Sequence, residues 1–206
     1  MDDIKNIINE ITNNTFKVLK KVYDNQKEGC EYTQGDNGSR LIFPHYSTIY
    51  RNGETRISEQ ELRFVFVEQF NVYCAKNNLR LYYSVETPTE YKYTFKDKDN
   101  PHKDEDGQSA MVDLCIHNEK FERVALVEFK ALNPDEFCYK KDFCKLDAEK
   151  EGKPNLETFF IMIVKNADND TFKNINVKIQ NKDKETVFRC YNLEGGEEIT
   201  LKIEKY

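Results

Sequence analysis

The segment Leu156–Lys165, LETFFIMIVK, constrains the fold of this chain most tightly. It is largely apolar, yet far shorter than the roughly 20 residues a membrane-spanning helix needs. A short apolar run of this kind reads as a β-strand buried on both faces. A strand with two apolar faces needs cover on both, which is the logic of a layered α/β domain. The chain is therefore expected to be α/β, with its sheet covered on both faces.

Periodicity places the other elements. Ile4, Ile7, Ile8, Ile11, Val18, Leu19 and Val22 recur at helical spacing, so residues 2–26 read as a helix. Residues 27–56 read as irregular, with glycines at 29, 35, 38 and 53 among polar residues. A second helix starts at Ser58, where Ser58 and Glu61 fit a capping box, and continues to about Lys76. Residues 79–87 read as a strand that ends at Pro88, and residues 96–107 as a charged loop.

Ser109–His117 and Arg123–Leu132 flank the short connection Asn118–Glu122 and read as an antiparallel hairpin. Pro134 opens a helix over about Asp135–Lys150, ended by Gly152 and Pro154. Thr186–Asn192 and Glu198–Glu204 are strand candidates. One domain over residues 1–206 is expected. Its core spans about 58–165, with the helix 2–26 and C-terminal strands within 171–206 as additions.

Composition excludes several classes. The 14 Phe and 12 Tyr supply large buried surfaces, which argues against disorder over the whole length. No apolar run approaches about 18 residues, so no transmembrane helix is expected. The N-terminal MDDIKNIINE lacks the apolar stretch of a signal peptide. A cytoplasmic location, away from membranes, is expected. A net charge of −6 argues against coating nucleic acid through bulk positive charge. It still allows an enzyme that grips a phosphate backbone locally, with metal ions offsetting its carboxylates. The six cysteines form no C-x-x-C pair, and the histidines at 45, 102 and 117 are scattered, so the usual zinc spacing is absent. Each histidine reads as solvated or packed in the core. Cys74 and Cys115 read as free, buried thiols.

The hairpin carries charges inside its apolar strands. Glu128 and Lys130 are two apart and share a face, while Val127, Phe129 and Ala131 point the other way. Asp113 is flanked by Val112 and Leu114, both expected on the opposite face. Asp113, Glu128 and Lys130 converge if the register brings their faces together. Burying an ionised group costs several kcal/mol unless it is paired or bound to metal. A divalent ion held by the two carboxylates is one explanation. Magnesium takes oxygen ligands, orients a phosphodiester and acidifies a bound water. A lysine beside it positions that water or stabilises developing charge. The other explanation is a cross-strand salt-bridge ladder on a solvated face, which would place Val124, Leu126 and Leu132 in water beside the charges.

The pattern of Asp113, then 14 residues, then Glu128-Phe129-Lys130 resembles the signature of the PD-(D/E)XK nuclease superfamily, the restriction-endonuclease-like fold. That family's core runs helix, three strands, helix, strand, which is similar to residues 58–165, and the resemblance implies a central mixed sheet flanked by helices. The resemblance implies that Asp113 and Glu128 are metal ligands and that Lys130 is the catalytic lysine. The family often adds a glutamate from the first core helix. Glu61 is the best match as a metal ligand and catalytic residue, with Glu59 close behind, although the capping box explains Glu61 equally well. Polar residues on the following helix, Lys141, Asp142 and Lys145, resemble the family's substrate-positioning groups. Val112 stands where relatives often carry proline.

The implied activity is magnesium-dependent phosphodiester hydrolysis, with manganese as substitute and DNA as the first-choice substrate. Restriction or phage defence is the setting the family's habit implies. The alternative is a catalytically silent nucleic-acid- or protein-binding module on the same fold. Oligomeric state stays open, a homodimer included. Outside the resemblance, Tyr46, Tyr50, Arg51 and Arg56 form an aromatic and basic cluster that either holds nucleic acid or packs a cover segment. Glu86 reads as a turn residue, with the cleft as the other reading.

Overall fold

The computed structural model describes residues 3–27, 38–47, 53–97, 101–179 and 185–199. Their elements run α1 (Ile4–Lys27), α2 (Glu59–Lys76), β1 (Tyr82–Thr94), β2 (His102–Lys103), β3 (Gln108–His117) and β4 (Arg123–Ala131). Then follow α3 (Glu136–Lys150), β5 (Glu157–Val164), α4 (Asn169–Ile179), β6 (Val187–Asn192) and β7 (Glu197–Glu198). The strands form one mixed sheet of seven, ordered β2-β1-β3-β4-β5-β6-β7. The β2, β1, β3 and β4 neighbours pair antiparallel, β4–β5 and β5–β6 pair parallel, and β7 returns antiparallel on β6.

Alternation along β5 divides its side chains between two cores. Phe159, Ile161 and Ile163 join α1 and α2 on one face, and Phe160, Met162 and Val164 join α3 and α4 on the other. This is the double burial that the apolar run demands. Phe160 stacks on Tyr139, Phe143 and Phe188 at ring-centroid distances of 5.5, 4.8 and 5.7 Å. Those contacts clamp α3 to the sheet. Truncating a buried aromatic of this kind to alanine costs about 3–5 kcal/mol.

Local chemistry sets the helix starts. The Ser58 backbone N–H donates to Glu61 Oε2 at 2.7 Å, the returning half of a capping box. Asp135 Oδ1 accepts from the Cys138 N–H at 2.9 Å and opens α3.

Three elements differ from the sequence expectation. The strand expected to stop at Pro88 continues through it to Thr94. Proline is tolerated because β1 is an edge strand there: β2 pairs only with Tyr93 and Thr94. The charged loop contains β2. Finally, α4 occupies part of the segment expected to hold only strands. Parallel neighbours need a crossover connection, so β5 cannot reach β6 without it. Asp168 Oδ1, accepting from the Thr171 N–H at 2.7 Å, marks its start. The expected strand Glu198–Glu204 lies mostly outside the described residues, as do Cys30, Tyr50 and Arg51.

One register detail opens a gap in the sheet. Pairing of β3 with β4 ends at Leu114↔Val127. Beyond it β3 keeps only β1 as a partner, and β4 keeps only β5, as far as Ala131↔Ile163. The two strands therefore part at Asp113 and Glu128.

Candidate functional site

A cleft of about 390 Å³ lies at this parting, with Asp113, Glu128 and Lys130 in its lining. Asp113 sits at the apex. Its Oδ2 accepts from the Phe129 N–H at 2.8 Å, so a side-chain carboxylate replaces the acceptor that the departing strand no longer offers. Its Oδ1 lies 3.9 Å from Arg63 Nη1, and the same guanidinium nitrogen is 2.5 Å from Glu86 Oε1. Glu86 therefore faces the cleft from within β1 rather than ending a strand, and its φ of 46° kinks the chain there. Strict alternation fails at the same place. Val112 joins the α3 core and Leu114 the α2 core, instead of sharing a face.

Glu128 is 1% exposed. Its Oε1 lies 2.5 Å from Lys145 Nζ but makes no hydrogen bond of proper geometry. Burial pushes this carboxyl well above its ordinary range. Negative Asp142 and Asp113 add to the rise, and Lys145 opposes it. Lys130 Nζ lies 2.9 Å from Asp142 Oδ2 and 3.4 Å from Glu59 Oε1. Burial alone would lower the Lys130 pKa. The carboxylates of Asp142, Glu59 and Glu128 outweigh it and hold the ammonium above its ordinary value. At neutral pH Lys130 is a cation, not a proton acceptor.

Asp142, also 1% exposed, joins the two lysines. Its Oδ1 lies 2.9 Å from Lys145 Nζ, which also donates to the Met111 carbonyl at 2.9 Å. Burial would raise its carboxyl, but Lys145 and Lys130 overcome this and hold it below the usual range. Glu59, Lys130, Asp142, Lys145 and Glu128 thus form a row of alternating sign. Asp142 and Lys145 reach it together because they are one helical turn apart on α3. Burial also raises the Glu59 carboxyl, with Lys130 opposing and Asp113 adding to the rise.

The structure gathers Asp113, Glu128, Lys130, Glu59, Lys141, Asp142 and Lys145 around one cleft. It leaves out Glu61 and Arg56, which is a correction to the expected site. The Glu61 carboxylate is occupied by Ser58, and Arg56 Nη1 lies 3.6 Å from its other oxygen. The acidic residue that α2 brings to the cleft is Glu59. Arg63 was not legible as a site residue. Its signal is position: it follows Glu59 by one turn on the same helix face. His45 and His117 are engaged locally, with the Gly53 carbonyl and with Ser84 and the Phe121 carbonyl respectively. Cys74 and Cys115 are free and buried, and burial pushes each thiol up to about 11, out of the reactive range.

Among the described residues, no group of three or more His, Cys, Asp or Glu side chains gathers as a metal-ligand set. The oxygen donors at the parting are the two carboxylates of Asp113 and Glu128. Among the described residues, no helix is long and apolar enough to cross a membrane. No protein-family model matches the chain, and neither a curated protein nor a solved structure is significantly similar to it.

Proposed function

We propose that this chain is a divalent-metal-dependent nuclease with a restriction-endonuclease-like core, acting in the cytoplasm on phosphodiester bonds, those of DNA first. The observation that carries the reading is the convergence of Asp113, Glu128 and Lys130 where β3 and β4 part. The order α2, β1, β3, β4, α3, β5 supports it, with β2 as a two-residue insertion in a helix, three strands, helix, strand core.

Asp113 and Glu128 are the residues that would hold magnesium, or manganese in its place. Their hard oxygen donors suit an ion that uses one or two carboxylates and keeps several waters, and Glu128 Oε1 faces the Lys145 ammonium without a hydrogen bond of proper geometry. Zinc, which favours three or four nitrogen and sulfur ligands, does not suit this donor set. When bound, the metal supplies Lewis acidity toward the phosphate and an acidified water. Lys130 contributes a fixed positive charge where negative charge develops on the phosphate. Asp142 and Glu59 hold the Lys130 ammonium in position. Lys141 lines the same cleft and adds a cation toward the substrate backbone.

The test is a panel of single- and double-stranded DNA and RNA incubated with Mg2+ or Mn2+. Wild type should cleave at least one substrate, and Lys130→Ala should slow it by about a hundredfold or more. Equal rates for the two proteins, or no cleavage of any substrate, would refute the reading. A second reading is a catalytically silent binding module. It is favoured by one observation, that Glu128 and Lys130 are both engaged by charges on α3. That reading predicts nucleic-acid or protein binding without metal uptake.

A further inference from the structure

We infer that Lys145 is a resident counter-ion of the cleft, standing against the Glu128 oxygen that a divalent cation would share, so that metal uptake requires it to move. The inference rests on the reading of Asp113 and Glu128 as the ligands of that cation. Three observations carry it. First, the Glu128 side chain is 2% exposed, and in the absence of metal its negative charge needs a partner inside the fold. Second, Lys145 supplies that partner at 2.5 Å through an ionic contact, without the geometry of a hydrogen bond. Of the three contacts that Lys145 makes, only the one to the Met111 carbonyl is a hydrogen bond of proper geometry; those to Glu128 and Asp142 are ion pairs. Third, Lys145 has a second home. It already lies 2.9 Å from Asp142 Oδ1 and donates to the Met111 carbonyl at 2.9 Å.

Leaving Glu128 therefore strands no buried ammonium. Lys130 does not block the move, because it uses the other Asp142 oxygen. The row of charges thus has two satisfied arrangements. In one, Glu128 is neutralised by Lys145. In the other, it is neutralised by a metal ion while Lys145 withdraws to Asp142 and the carbonyl. Two cations beside one carboxylate in a poorly solvated cleft repel each other, so Lys145 sets the threshold for metal entry.

The experiment titrates Mn2+ alone, without nucleic acid, into wild type, Lys145→Met and Lys141→Met, and reads binding by calorimetry. Lys141 lines the same cleft and controls for the loss of one positive charge. Wild type should bind one ion, Lys145→Met should bind it at least about tenfold more tightly, and Lys141→Met should stay within about threefold of wild type. Metal-free Lys145→Met should also melt below wild type and recover on adding Mn2+. Equal or weaker binding by Lys145→Met overturns the inference and leaves the metal reading standing, whereas wild type that binds no Mn2+ overturns both. A second measurement serves if Lys145→Met does not fold. The lysine Nζ signals of wild type are followed by 15N NMR through a Mg2+ titration. The Lys145 signal is identified by its loss in Lys145→Arg, and it should shift as the site fills while the Lys150 signal stays fixed. A stationary Lys145 signal alongside a bound ion overturns the inference.

Discussion

Asp142→Ala takes away the carboxylate that two buried ammonium groups share. Lys130 and Lys145 each lie 2.9 Å from it, and their side chains are only 12% and 6% exposed. Removing one member of a buried ion pair costs about 3–5 kcal/mol. Two pairs break here, but neither lysine is stranded: Lys130 keeps Glu59, and Lys145 keeps Glu128 and the Met111 carbonyl. The expected loss is therefore about 4 kcal/mol rather than twice that. At about 2–4 °C per kcal/mol for a chain of this size, Tm should fall by about 8–16 °C. The assay is thermal unfolding followed by circular dichroism in metal-free buffer at pH 7.

The pH dependence adds a second check. The two lysines hold the Asp142 carboxyl below its ordinary value of 3.8 in the folded chain. Such a group contributes its full stability above that value and loses it as pH falls through the lower folded pKa. The gap between wild type and Asp142→Ala should narrow as pH falls below about 3.8. A Tm shift under about 2 °C at pH 7 would show that Asp142 is no keystone, and so would a gap that widens in acid.

Asp113→Asn keeps an oxygen that can accept from the Phe129 N–H. Its metal-free Tm should stay within about 2 °C of wild type while cleavage is abolished, and a large destabilisation would mark Asp113 as a structural partner instead. Glu61→Gln should retain cleavage within about threefold, since glutamine also serves a capping box. Glu59→Gln should slow cleavage about tenfold, because Lys130 loses its 3.4 Å partner; rates against Mg2+ concentration for both variants decide this.

Much of the architecture is legible because local signals and tertiary demands agree. Ser58 and Glu61 announce α2, Pro134 announces α3, and the LETFFIMIV run announces a strand covered twice. The convergence of Asp113, Glu128 and Lys130 follows from alternation on β4 and the short hairpin connection. What escapes is decided at a distance. Glu59 and Glu61 are indistinguishable by type, and the choice between them depends on how α2 is rotated against β4. The strand end at Pro88 is misread because proline stops only strands flanked on both sides. Asp142 reads as a substrate-positioning residue. Its work of joining two lysines depends on the packing of Tyr139, Phe143 and Leu146, which turns that face of α3 toward the cleft.

Between Tyr82 and Lys92 the outer side of β1 carries no strand among the described residues. A bare edge of this length is a template on which a strand from another molecule can add, and so a seed for aggregation. Three features interrupt it: the Glu149 carboxylate on α3 already accepts from the Glu90 and Tyr91 N–H groups at 2.9 and 3.2 Å, and two residues break the strand before them. Glu86 takes a left-handed backbone conformation, and Pro88 offers no N–H to an incoming strand. The flat stretch left for an intruder is short, only Tyr82 to Val85, although Tyr82, Tyr83 and Val85 are all exposed there. The kink that turns Glu86 into the cleft thus also keeps the sheet from growing sideways. A single distortion serves both chemistry and solubility, so substitutions that straighten β1 at Glu86 should be poorly tolerated even in a chain that no longer needs to act on a substrate.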